Sequence, residues 1–443
     1  MKRLSIVALL LLGSTGFAAD SLDSWFKEGK GYGNIKYYYI ETNKDYLDGT
    51  DSSAHANSIG GQLGYKTGKW NGVSAAITMM TTNPFWLPGK VDTSIIGRDN
   101  GLTGGNPEKG FAVVGEAYLD YSKNDWSLSY GRKVIKTPLI NAKEVRMLPS
   151  AVEGAFANMK LEYGTKIEAA YLQRFKQRTS DNFMNIVKHA LGDLTKDITG
   201  SDTGNVAMLG AIYSKKNYTL KIYDYYSKDF INSVYLQSDF KNSLSNGISY
   251  KASFQYIGQR SIGNADDNLA IAGSVTGGKD INTDAFGAKV ALTQEESTLS
   301  LAYTKVLKDE NSHDSLVLPW DGTPLFTNMI TANNLFQSNY GKALKSDSAY
   351  IGGTQGVRVG YTQGFDFTGV KGFKTTIAYA LFTNGRFPES QRDINAVISY
   401  SKNNYSIALK GIWVDNPTSA AADGTVSQID SMAQYRVIAN YKF

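Results

Sequence analysis

The chain of 443 residues contains no cysteine, which excludes a disulfide scaffold and any thiolate-ligated metal. Histidine is nearly missing as well: His55, His189 and His313 are the only three, and they lie far apart. A histidine-rich metal site is therefore not expected, and no residue pattern implies a cofactor. The formal net charge of +5 is small and no basic run accompanies it, so nucleic acid is not an expected partner. Long hydrophobic runs are absent too. Lys2 and Arg3 precede the apolar stretch Leu4–Leu12, and Gly16-Phe17-Ala18 follows with small residues three and one before a plausible cleavage point. That pattern reads as a secretory signal peptide over residues 1–18, because the stretch is too short to span a bilayer. Beyond it nothing approaches the roughly 18–20 apolar residues of a transmembrane helix. The expected mature domain is 19–443, exported from a bacterium-like cell.

Tyrosine (28 residues) and glycine (44) are plentiful, and tyrosine is patterned. YSKNDWSL, YSKKNYTL and YSKNNYSI begin at Tyr121, Tyr213 and Tyr400, and YKTGKWNG at Tyr65 keeps the same aromatic spacing. Each short turn is thus bracketed by two aromatic rings. The flanks alternate apolar and polar residues, as half-buried strands do: before the turn after Tyr121, Val113, Gly115, Ala117, Leu119 and Tyr121 are expected on one face, with Glu116 and Asp120 on the other. Eighteen such segments run from 31–41 to 430–443, 57–66 and 231–239 being the weakest. Their connections alternate between short (such as 67–69, 123–124 and 402–403) and long (such as 42–56, 81–111, 135–152 and 308–353). A soluble sandwich does not require that alternation. An antiparallel transmembrane β-barrel does, with short periplasmic turns, long extracellular loops and an even strand count. Tyrosine and tryptophan at the turns then form the periplasmic girdle. The competing readings are ordinary hairpins of a soluble β protein, or a 16-stranded general diffusion porin if the two weakest segments are not strands.

The last residues, YRVIANYKF, put Tyr435, Val437, Ala439, Tyr441 and Phe443 on one face. Outer-membrane barrels end this way, and the likeness implies recognition of this strand by the barrel insertion machinery. A closer resemblance lies at 130–154, YGRKVIKTPLINAKEVRMLPSAVEG, in Gly131-Arg132-Lys133, Thr137-Pro138, Arg146-Met147-Leu148-Pro149 and Glu153-Gly154. IKYYYIE and LPWDGTPLFTN (318–328) add partial echoes, although Lys36 stands where arginine is common. The chain in these segments resembles the OprD family of substrate-specific outer-membrane porins. The resemblance implies an 18-stranded barrel whose narrow pore is pinched by inward-folded loops. It also implies passage of small carboxylate-bearing solutes, amino acids included, past a ladder of basic side chains.

Strand alternation independently assigns Lys36, Lys160, Lys221, Lys251, Lys289, Arg358, Lys410 and Arg436 to the lumen, with the acids Glu116, Asp120, Glu162 and Glu168. Closure of the last strand onto the first is expected to bring Lys36, Lys410 and Arg436 onto one arc of wall at one level, facing a more acidic side. Such a field orients solutes that carry both signs, whereas in the plainer reading the charges only keep the lumen wet. Lys143, Glu144 and Arg146 form the expected constriction loop, or else an ordinary rim loop. Asp321 is a candidate from the seventh loop. Ser312-His313-Asp314 are adjacent and so cannot form a catalytic triad. Catalysis is not expected, and an adhesin or receptor using the large loops is the remaining rival. Expected partners are outer-membrane lipid and small anionic or zwitterionic solutes. Monomer and homotrimer both stay open.

Overall fold

In the computed structural model, residues 19–85, 110–142, 145–245, 247–271, 279–330, 351–385, 389–416 and 429–443 are described. The expected signal peptide at 1–18 lies outside them, as do Lys143 and Glu144. Eighteen long strands form the wall: β1 Lys30–Tyr46, β2 Asp51–Lys66, β3 Val73–Pro84, β4 Phe111–Lys123, β5 Trp126–Lys133, β6 Ala151–Leu161, β7 Thr165–Lys176, β8 Val206–Lys215 and β9 Tyr218–Ser227. The second half comprises β10 Ile231–Ser243, β11 Ser249–Ser261, β12 Asn282–Gln294, β13 Ser297–Val306, β14 Gln355–Gly364, β15 Phe373–Thr383, β16 Gln391–Lys402, β17 Tyr405–Asp415 and β18 Ile429–Lys442. Both weak segments are strands, which removes the 16-stranded alternative. A further two-residue strand, Met184–Asn185, caps the top of β7.

Each strand pairs antiparallel with its neighbours, and β1 pairs with both β2 and β18, so the sheet closes and leaves no edge. Closure is what a bilayer demands, since unpaired backbone groups find no water there. Alternation works as expected. Ile35, Leu63, Ile77, Leu209, Phe254, Leu301 and Ile377 are exposed toward lipid, while Tyr38, Thr78, Tyr223, Ser253 and Asn395 on the opposite face are buried. At the short turns Tyr121 meets Trp126 at 5.3 Å and Tyr213 meets Tyr218 at 6.5 Å between ring centroids. Tyr405 instead packs on Tyr441 of β18, at 4.7 Å. Asn124 and Asn403 hold positive φ in their turns, a conformation their short polar side chains tolerate.

Two expectations about the wall need correction. The connection at 42–56 is not a long loop: β1 and β2 stay paired up to Asp45 and Asp51, leaving a tight hairpin tip at 47–50. Polar alternation above the membrane resembles loop composition, which hid the strands. In β4, Val113 and Gly115 do not share the lipid face with Leu119. The register passes from Thr78↔Glu116 to Met79↔Val114, so Gly115 is an extra, bulged residue. Parity flips there, and Val113 turns inward to pack with Met80. A Cβ at 115 would meet the sulfur end of the Met80 side chain, which would have to move aside.

The main apolar core lies inside the barrel, in its extracellular half. Leu139 and Ile140 of loop 3, Ile186, Val187 and Leu191 of loop 4, and Leu316, Trp320 and Leu325 of loop 7 pack on Phe175, Tyr225 and Ala380 of the wall.

Candidate pore constriction

Loop 3 follows β5, and its base is fixed by Glu116, which accepts from the Val134 N–H at 3.0 Å and from Thr78 Oγ1 at 3.0 Å. Its first half reaches β9, where the Leu139 N–H donates to the Tyr225 hydroxyl at 3.3 Å. Its second half reaches β1. There Lys36 Nζ donates to the Met147 carbonyl at 3.0 Å, and the Tyr38 hydroxyl to the Val145 carbonyl at 3.0 Å. β1 and β9 are eight strand steps apart one way round the ring and ten the other. A segment bonded to both walls crosses the lumen.

Loop 7 lies inside as well. Wall amides take the place of a pairing strand: Gln259 accepts from the Val317 N–H and donates to its carbonyl, at 2.7 and 2.8 Å. Gln255 does the same for Phe326 and Pro324, at 3.0 Å each. Farther round, Asn395 on β16 accepts from the Ile330 N–H at 2.7 Å. These contacts satisfy backbone groups that would otherwise be buried unpaired.

The loops meet at Asp321. Its backbone bridges Ile140, and its carboxylate accepts from Ser150 of loop 3 and pairs with Arg178 of loop 4. At 4% exposure it is a buried clamp and not the solute contact expected of it. WDGTP signals a turn, and Asp321 indeed holds φ of 60°, but Arg178 is far away in sequence, so the pairing could not be read.

Above β1, β17 and β18 a positive cluster forms around Tyr38. Lys410 and Arg436 are direct register partners. Arg436 is level with Ile40, whereas Lys36 stands opposite Asn440, four residues nearer the periplasm (40 − 36). The expected single level is therefore corrected: Lys36 sits lower and reaches upward to tether loop 3. Arg436 is 3% exposed, donating from Nε to Gln434 Oε1 at 2.7 Å and from Nη1 to the Tyr38 hydroxyl at 3.3 Å. Gln434 and Tyr38 are neutral, so neither cancels its charge. Arg146 of loop 3 remains partly open to the lumen, beside Arg436 and Tyr38. Burial, and next the charge of Arg436, lower the pKa of its guanidinium.

The other basic residues separate into groups. Lys289, Ala302, Arg358, Ala380 and Asp393 stand opposite one another across β12 to β16, which places Lys289 and Arg358 on one inward row. Asp393 acts electrostatically on Arg358. Lys251 is paired with Asp239 of β10 at 3.3 Å. Lys221 is inward beside Tyr223, and Lys160 lies near the periplasmic end opposite Lys166. Among the expected acids, Asp120 faces Lys133, and Glu168 accepts from Tyr223 at 2.8 Å and Lys166 at 2.5 Å. Glu162 is corrected: β6 ends at Leu161, and Glu162 opens an exposed one-turn 3₁₀ segment at the periplasmic rim. The division into basic and acidic walls is also incomplete, because Asp239 and Asp393 stand among the basic residues. Inward parity opposite Phe240 and Ile394 would have found both acids. Lys133 was missed too: it rests over the Tyr118 ring at 4.5 Å and the Phe156 ring at 5.4 Å.

Comparison with known proteins places this architecture. The sequence profile of the outer membrane porin, OprD family, matches residues 88–443. Among solved structures, OccK9 (OpdG) of Pseudomonas aeruginosa superposes with a TM-score of 0.72 at 14% identity, covering 95% of this chain and 99% of that one. OpdK of the same organism, with vanillate, gives 0.69 at 14% identity, covering 95% and 99%. OccK2 (OpdF), in complex with glucuronate, gives 0.68 at 13% identity, again covering 95% and 99%. No curated protein matches the chain.

Proposed function

The chain belongs to the OprD family of outer-membrane porins, and from that premise we propose that its channel selects small carboxylate-bearing solutes, amino acids among them. The observation that carries this reading is the crossing of loop 3 from Tyr225 to Tyr38, which sets Arg146 beside Arg436 on the constricted path. A carboxylate entering there exchanges part of its hydration for Arg146 and Lys410. Below the constriction it meets no partner strong enough to trap it. Lys289 and Arg358 offer a second, weaker station on the adjoining arc. For a zwitterion, Asp120 and Glu168 on β4 and β7 supply the opposite sign, so the solute is oriented as it passes. Vanillate and glucuronate, the ligands of the two neighbours, are both carboxylates, which supports this chemistry without assigning either to this channel.

Reversal potentials and fluxes across planar bilayers test the reading with neutral sugars, amino acids and monocarboxylates of similar size. A channel that passes carboxylates no faster than matched sugars would refute it. We also assign residues 1–18 to a cleaved export signal, and β18 with Phe443 to recognition by the insertion machinery. The exposed Phe443 ring and its backbone pairing with Gly33 support the latter.

A further inference from the structure

On the outside of the barrel, at the extracellular ends of β13, β14 and β15, lies a cleft of about 420 Å³. Lys305, Leu307, Lys308, Gly353, Gln355 and Asn384 line it. Its direction follows from parity. Leu301 and Tyr303 precede Lys305 on the lipid-facing side, and Val357, Val359 and Tyr361 follow Gln355 on the same side. The cleft thus caps the lipid-facing apolar band and opens toward the outer leaflet, not toward the lumen.

Its chemistry is cationic. Lys305 is exposed, and its ammonium makes no ion pair or hydrogen bond among the described residues. A lysine is costly at the bilayer midplane and tolerated near the interface, so its place above Tyr303 marks the headgroup level. Lys308 is the second ammonium, held by Glu310 at 2.5 Å. Lys279 donates to the Glu310 carbonyl, bringing a third cation close by. Glu310 and Asp309 are the acids beside the cleft; Asp309 is already engaged by Asn282 and the Asn311 N–H. Gln355 is oriented by the Tyr303 hydroxyl at 3.0 Å, and Asn384 by donation to Thr354 Oγ1 at 2.8 Å. Gly353, at φ of 91°, keeps the floor open where another residue would be strained.

We propose that this cleft binds the phosphate group of an outer-leaflet glycolipid, with Lys305 and Lys308 as its cationic contacts. Phosphate is the anion that the leaflet presents at this height, and two ammoniums with neighbouring amides match its several acceptor oxygens. The lipid's acyl chains would then lie along Leu301, Val357 and Val359.

The test uses the intact barrel, purified in mild detergent and stripped of native lipid. Native mass spectrometry follows retention of bisphosphorylated lipid A, the same lipid after dephosphorylation, and inorganic phosphate. The wild type should retain the phosphorylated lipid, and the Lys305→Gln/Lys308→Gln variant should lose it by about tenfold. Lys305→Gln alone should give a smaller loss, and Lys123→Gln at the periplasmic end should match the wild type. Unchanged single-channel conductance certifies that each variant is folded. Equal retention of the dephosphorylated lipid, or by the double variant, overturns the proposal. Inorganic phosphate that binds at this site with no preference for the lipid overturns the glycolipid assignment.

Discussion

Replacing Lys410 with glutamine isolates charge from architecture at the constriction. The side chain faces the lumen opposite Arg436, half-buried, and the loop 3 tethers run through Lys36 and Tyr38, not through it. Glutamine keeps polarity and leaves those tethers untouched. A carboxylate passing about 6 Å from the ammonium, in a lumen whose effective dielectric constant lies between bulk water and protein, gains about 1 kcal/mol. Losing that gain lowers carboxylate occupancy at the constriction about fivefold. A neutral sugar of similar size gains nothing from the charge and should pass at the wild-type rate. The assay is the flux ratio of a small monocarboxylate to a matched sugar in proteoliposomes, repeated at about 0.1 M and about 1 M salt. Screening shortens from about 10 Å to about 3 Å between those conditions, so the variant's deficit should shrink at high salt. Lys123→Gln, at a periplasmic turn, is the control and should leave the ratio unchanged. Carboxylate and sugar fluxes that fall together, or a deficit indifferent to salt, would refute charge selection at Lys410.

Other consequences are as direct. Removing residues 141–147 deletes the crossing of the lumen and should raise single-channel conductance; an unchanged value in a folded barrel would place the constriction elsewhere. Tyr38→Phe takes away the donor to Val145 and a partner of Arg436, at about 1–2 kcal/mol, and should increase open-channel current noise. Asp321→Asn breaks the buried pair with Arg178, a loss of about 3–5 kcal/mol, so trypsin should cut after Arg178 in the folded variant and not in the wild type. Cysteines placed at Asn124, Asn217 or Asn403 should resist an impermeant thiol reagent in intact cells, whereas one at Ser312 should label readily. The reverse pattern would invert the topology.

Much of the wall was legible because lipid enforces alternation: every one of the eighteen expected segments overlaps a strand. Where lipid is absent the signal fades, and so the hairpin tip at 47–50 was concealed within an apparent loop. A single inserted residue, Gly115, reversed the reading of Val113, since parity carries no memory of a bulge. Loop 3 was visible through its motif, but the residues that fix it were not. Tyr38 looks like any girdle tyrosine until its inward face is known. Asp321 and Arg178 are 143 positions apart and meet only through the packing of three loops. Glu162 failed for a simpler reason, lying one residue beyond its strand.

The bonds from loop 3 to opposite walls have a mechanical meaning. Eighteen strands about 4.8 Å apart and tilted by about 40° give a tube roughly 35 Å across, wide enough to flatten under lateral pressure. Six peptide steps from Leu139 to Val145 reach at most about 20 Å, and the inward-pointing Tyr225 and Tyr38 make up much of the remaining distance. Loop 3, bonded to both walls, therefore acts as a tie that limits how far they can separate along that diameter. The aperture's size is set by the length of the tie and not by the circumference of the tube, so it should hold steady as the surrounding bilayer thickens, thins or curves.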